Sequence, residues 1–182
     1  MNVTKAAAFL LLAFLGLPAL AQGTAPASHV YAGATVGQVR WSPACNTCDN
    51  LDSALRVFGG YQVNRVLAAE AGFANLGETR GSGVLVKANS WDASVVAGWP
   101  IAGALSVHGR LGMYRANLKG GGTLAGQQHD NYGLLYGLGA QFEATANLAL
   151  RFDWLEYSGA GGSGIPDSDI RLLSLGALWR FR

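Results

Sequence analysis

The sequence predicts an all-β protein: eight antiparallel strands closed into an up-and-down transmembrane barrel. Three observations carry that expectation. Apolar residues alternate with small or polar ones at period 2 through segment after segment, the mark of strands with two different environments. Half of the 182 residues are hydrophobic and only 13% are charged, against about a quarter in typical chains. Beyond the N-terminal segment, no run of 18 apolar residues supplies a membrane helix. An apolar, alternating chain without such a helix satisfies its backbone in lipid by closing into a barrel.

Residues 1–21 read as a cleaved leader rather than as part of the fold. Lys5 supplies a basic start, Ala6 to Leu17 form an apolar run, and Pro18 precedes Ala19-Leu20-Ala21. That is an A-x-A signal-peptide pattern, with cleavage expected before Gln22. The run is too short for a membrane anchor. No Cys follows the cleavage box, which argues against a lipid-anchored N-terminus. Residues 22–28 form a short polar lead, and 29–182 the expected barrel.

The strands are expected at about 29–40, 54–63, 66–76, 87–99, 104–116, 131–143, 147–157 and 169–181. In the second, Leu55, Val57, Gly59, Tyr61 and Val63 oppose Arg56, Phe58, Gly60 and Gln62. In the fourth, Trp91, Ala93, Val95, Ala97 and Trp99 oppose Asp92, Ser94, Val96 and Gly98. The connections alternate in kind. Asn64-Arg65, Pro100 to Gly103 and Ala144 to Ala146 are tight. WSPACNTCDNLDS, GETRGSGVLV, LKGGGTLAGQQHD and GAGGSGIPDS are longer and polar or glycine-rich. Short turns on one side and long loops on the other is the outer-membrane barrel pattern, the short side facing the periplasm.

The aromatic positions fit a lipid-facing band. Trp91 and Trp99 share a face eight residues apart, roughly 26 Å along a strand. Strand tilt brings that close to the apolar band flanked by aromatic girdles. Tyr61, Phe142, Trp179 and Phe181 are expected in the girdle on the short-turn side. The opposite, inward face is rich in glycine. An eight-stranded barrel is just wide enough for its own side chains, and glycine makes room for a few large polar ones.

Parity turns Arg56, Glu70, Asp92, Arg110, Arg151, Asp153 and Arg180 inward. Glu70 stands out as a carboxylate in an apolar strand, costly to bury unpaired. Counted from the nearest short turn, Glu70 and Arg151 stand about five residues up and Arg110 about seven. They are expected to meet across the lumen at mid-height, with Asp153 extending the network. The arrangement reads as a polar plug, with a gate or narrow ion path as the alternative.

Other chemistry is thin. Cys45 and Cys48 stand as C-N-T-C in a polar stretch, and export permits a disulfide at a loop tip. No helix follows to make a redox C-x-x-C, and no further zinc ligands are spaced nearby. His29 begins the first strand and His129 lies in a long loop. Ser106 and His108 are the one close Ser/His pair, but parity turns both inward, whereas a lipid-hydrolysing site should open to the bilayer. There is no Gly-x-Ser-x-Gly elbow. The formal net charge of +2 gives no reason to expect nucleic acid.

VFGGYQVNRVLAAEAGFANLG (57–77), the GWP turn at 98–100, GRLGMYRA (109–116) and LALRFDW (148–154) resemble the transmembrane domain of the outer-membrane protein A family and the small barrels grouped with it. The resemblance covers about 29–182. It implies that Glu70 is the family's central lumen glutamate and Arg151 its arginine partner. Val96 stands where that family's lumen lysine would be, and Gln141 where a second lumen glutamate would be. The chain stops at Arg182, so the barrel is expected without the family's peptidoglycan-binding domain. Ser174, Gly176, Trp179 and Phe181 are similar to the C-terminal signal read by the barrel assembly machinery.

The expectation is a non-enzymatic, cofactor-free monomer in the Gram-negative outer membrane, in contact with outer-membrane lipid and lipopolysaccharide. Its expected role is structural or surface-exposed: envelope integrity, adhesion or contact with a host or surface ligand through the loops. The alternative is a narrow porin-like channel gated by the Glu-Arg network; an outer-membrane lipid hydrolase and a soluble ligand-carrying barrel are the further readings.

Overall fold

The computed structural model describes residues 28–41, 51–81, 84–122, 128–159 and 169–181. Eight strands follow in chain order: β1 (His29–Trp41), β2 (Leu51–Gln62), β3 (Leu67–Gly81), β4 (Val84–Ala102), β5 (Leu105–Gly122), β6 (Gln128–Glu143), β7 (Leu148–Ser158) and β8 (Ile170–Phe181). Each pairs antiparallel with the next, and β1 pairs with β8 to close the barrel. Closure leaves no unpaired edge, the condition for a sheet to stand in hydrocarbon.

Period 2 decides which side chains meet lipid. Along β1 the burial alternates residue by residue from Val30 to Trp41. Large apolar residues cover the outer wall: Trp91 is 66% exposed, Leu138 65% and Met113 64%. A soluble monomer rarely shows a continuous apolar surface of this extent. Among the described residues there are no helices, and therefore none long and apolar enough to cross a membrane; the strands are the spanning elements.

The three short turns lie at 63–66, 103–104 and 144–147. Asn64 Oδ1 accepts from the backbone N–H of Val66 and of Leu67, both at 2.8 Å. Thr145 Oγ1 accepts from the N–H of Leu148 at 3.0 Å. These side chains satisfy turn donors that the ladder cannot reach.

The opposite end differs from the sequence expectation. GETRGSGVLV and LKGGGTLAGQQHD are largely strand rather than loop. β3 and β4 stay paired out to Gly81 and Val84, and β5 and β6 out to Lys119 and Gln128. Glycine hides the period-2 signal because it carries no side chain to alternate, yet its backbone pairs like any other. A bulge between Asn75 and Glu78 marks the base of the first ribbon, with Gly77 at φ +71°. The leader (1–21), Cys45 and Cys48 lie outside the described residues.

Inside, large residues face glycine across the ladder. Tyr31 stands opposite Gly60 and Phe58 opposite Gly33. Tyr114, Arg110 and His108 stand opposite Gly133, Gly137 and Gly139, and Arg151 opposite Gly176. A Cβ on Gly60 would overlap the Tyr31 ring, and one on Gly139 the His108 ring. The narrow interior is filled by setting small against large.

Candidate functional site

The lumen is stratified. At mid-height, three guanidiniums and three carboxylates form one buried layer. Glu70 on β3 is its hub. Arg110 on β5 donates from Nη2 to Glu70 Oε2 at 2.5 Å. Arg151 on β7 donates from Nη1 to Oε1 at 2.6 Å, and the Tyr31 hydroxyl on β1 donates to the same oxygen at 2.8 Å. Arg56 on β2 stands 3.9 Å from Oε2 and makes a two-pronged contact with Asp92 on β4, Nη2 at 2.6 Å and Nε at 3.1 Å. Arg110 also donates to Ser94 Oγ at 3.0 Å and lies 4.0 Å from Asp92.

Asp153 continues the layer on β7. Its Oδ2 is 3.2 Å from Arg151 Nε, a charge contact without hydrogen-bond alignment, since both atoms lack a bonded partner. Its Oδ1 is 2.7 Å from His108 Nε2. Phe58 lies between two guanidiniums, with Arg56 and Arg151 at 5.0 and 5.1 Å from its ring centre. Each charge in so narrow a space needs a partner, and the layer is formally neutral.

Arg180 belongs elsewhere. It pairs with Glu143 nearer the short-turn end, Nη2 donating to Oε1 at 2.5 Å and Nη1 meeting Oε2. Gln141 Nε2 also donates to Glu143, at 2.8 Å.

Below the charge layer, towards the short turns, the lumen opens into a cavity of about 400 Å³. Its lining includes Gln62, Arg65, Ser106, Gln141, Glu143 and Arg180, and it reaches Glu70, Arg151, His108 and Tyr31. Above the layer the interior is apolar: Leu76, Leu135, Leu155, Tyr157, Ile170 and Leu172 are at most 1% exposed and form one cluster with Val39, Trp41 and Tyr114.

The other residues singled out by the sequence divide between wall and lumen. Trp91, Trp99, Tyr61, Phe142, Trp179 and Phe181 are all exposed on the outer wall. Trp179 and Phe181 lie on β8 against Ala32 and Val30 of β1, and Gly176 and Ser174 against Thr35 and Gly37. Ser106 Oγ donates to the Gln141 carbonyl at 3.4 Å, whereas His108 bonds Asp153, so this Ser and His do not form a nucleophile–base pair. Among the described residues, no group of three His, Cys, Asp or Glu side chains is placed to hold a metal ion. Two further lumen residues, Tyr31 and Ser94, had no role in the sequence reading, although period 2 turns both inward. Tyr31 meets Gly60 through the register of β1 against β2, which parity does not supply.

Residues 7–181 match the family model described as outer membrane protein beta-barrel domain. Outer membrane protein A of Klebsiella aerogenes is 28% identical over 97% of this chain and 55% of its own length; the chain thus spans about half the length of that curated relative. Neisserial surface protein A shares the fold at a TM-score of 0.59 and 17% identity, over 84% of this chain and 97% of its own. Ail, the attachment invasion locus protein of Yersinia pestis, bound in that structure to the heparin analogue sucrose octasulfate, does so at 0.54 and 19%, over 85% and 97%.

Proposed function

Because the chain belongs to the outer membrane protein β-barrel domain family, and is an integral barrel of the Gram-negative outer membrane, we propose that it works as a plugged anchor. In this reading the lumen is stopped by its own side chains, and the hairpins and loops at the long end carry the biological activity at the cell surface. The supporting observation is the stacking of two layers across the bore, the charge layer around Glu70 beneath the apolar cluster around Leu155. Water or ions crossing the barrel would have to break both.

On this reading Trp91 on one side, and Trp99, Tyr61, Phe142, Trp179 and Phe181 on the other, are interfacial anchors. Ser174, Gly176, Trp179 and Phe181 serve the assembly machinery during insertion. The family fold also serves a Yersinia protein named for attachment. For this chain, contact with a host or surface ligand through the long hairpins is the corresponding proposal, with envelope integrity as the role independent of any ligand. No catalysis is assigned.

A second reading, a narrow gated path, draws on one observation: the lower cavity reaches Glu70 and Arg151 directly, so only the upper layers separate it from the far side. Planar-bilayer recording discriminates. The plug predicts no discrete openings for the wild-type barrel; openings that vanish in Glu70→Ala would overturn it in favour of the channel.

A further inference from the structure

A polar row crosses the outer wall from β1 to β6. Read across the ladder it runs Arg40 on β1, Arg171 on β8, Glu156 on β7 and Tyr136 on β6, each directly opposite the next. The first three stand close to the long-hairpin ends of their strands, at the level where a barrel wall passes from acyl chains to outer-leaflet headgroups.

Glu156 has outward parity yet is only 7% exposed. The Tyr136 hydroxyl donates to its Oε1 at 2.6 Å, and Arg171 Nε donates to its Oε2 at 3.1 Å. Arg171 is therefore held through Nε, and its two terminal nitrogens make no hydrogen bond among the described residues; its side chain is 52% exposed. Arg40, exposed directly opposite, makes no ion pair among the described residues. Like charges directly opposed on neighbouring strands repel. With two guanidiniums and one carboxylate, the row carries one positive charge that no described residue balances. An oxyanion with several acceptors relieves that repulsion, and phosphate suits the guanidinium fork best.

What lies beside the fork decides which phosphate. Towards the bilayer centre the same wall exposes Val36, Leu173, Leu175 and Phe152. A charged fork continuous with an apolar strip matches a molecule that carries both phosphate and acyl chains. We infer that Arg40 and Arg171 bind the phosphate of an outer-leaflet glycolipid, with Glu156 and Tyr136 holding Arg171 in place and the apolar strip receiving an acyl chain. The inference rests on the outer-membrane placement of the barrel and not on whether the lumen conducts, so the bilayer recordings above can fail without touching it.

The test measures retention of hexa-acylated, bis-phosphorylated lipid A by the folded barrel in detergent, read by native mass spectrometry. Heat-modifiable gel migration verifies folding of every variant. The double variant Arg40→Gln/Arg171→Gln is expected to retain lipid A about thirtyfold less well than wild type, as for two basic groups near an anionic lipid surface. Arg115→Gln, which removes a guanidinium already paired with Asp130, is expected to retain it fully. Dephosphorylated lipid A should bind wild type and double variant equally weakly, and inorganic phosphate at equal concentration should not displace lipid A. Unchanged retention in the double variant, or an equal loss in Arg115→Gln, overturns the site; displacement by inorganic phosphate overturns the lipid and leaves a free-phosphate site. If the double variant fails to fold, Arg40→Gln alone serves, since it breaks no hydrogen bond or ion pair among the described residues.

Discussion

The two halves of the lumen are built from the same eight strands with the same parity, yet one is hollow and the other solid. Towards the short turns the inward residues are mostly small or hydrogen-bonding, with Val96 and Leu178 among them, around a cavity of about 400 Å³. Towards the long hairpins they are Leu135, Leu155, Tyr157, Ile170 and Leu172, packed without exposure. Strand number sets the bore; the choice of inward residue sets whether it is filled. The layer around Glu70 is the boundary, polar enough to face the cavity and paired enough to sit under an apolar cap.

The boundary is the place to break this comparison. Glu70→Ala leaves three guanidiniums without their shared carboxylate, and loss of one partner of a buried pair costs about 3–5 kcal/mol. Urea unfolding in lipid vesicles, followed by gel migration, should show a greater loss for Glu70→Ala than for any single truncation in either half. A shift no larger than that of a surface variant would mean the charges are solvated and the boundary is not dry.

Matched truncations sharpen the contrast. Leu155→Ala in the solid half should cost about 2–5 kcal/mol, as for a cavity opened in a packed core. Leu178→Ala should cost less, because Leu178 already lines the open cavity. Equal costs would erase the distinction. Access gives a third measure. In a background lacking Cys45 and Cys48, Ser106→Cys in the cavity lining should react with a small charged thiol reagent, whereas Ser90→Cys, whose parent is fully buried, should not. The smallest effect is expected at Arg115→Gln. It removes an exposed ion pair with Asp130, outside both halves of the lumen, and should leave the unfolding midpoint unchanged.

Much of this was legible from period 2 alone. Alternation around Tyr61, Trp91 and Phe142 identifies strands and assigns their lipid face, and the same parity turns Glu70, Arg110 and Arg151 to the lumen. The stagger between strands is what parity lacks. It decides that Arg56 lies within reach of Asp92 and that Arg180 meets Glu143 rather than the central layer. The solid half was obscured because its inward residues are as apolar as their outward neighbours. At Leu134-Leu135, Trp154-Leu155 and Leu172-Leu173 the pattern reads as a doublet rather than an alternation. Glycine obscured the two ribbons for the opposite reason, offering no contrast at all. Glu156 was hidden because its partners, Tyr136 and Arg171, come from different strands.

The seam between β1 and β8 has a consequence for the order of events when the chain folds. Every other strand pair joins neighbours in sequence, but the seam joins Val30 to Phe181 and Trp41 to Ile170, spanning nearly the whole barrel. The entropy of bringing chain ends together grows with the intervening length, and distant pairings are the slow ones. Hairpins formed locally can therefore accumulate as an open sheet, and the seam is the step that commits the chain. Changes along β8 should act on the rate of that commitment more than on the hairpins that precede it.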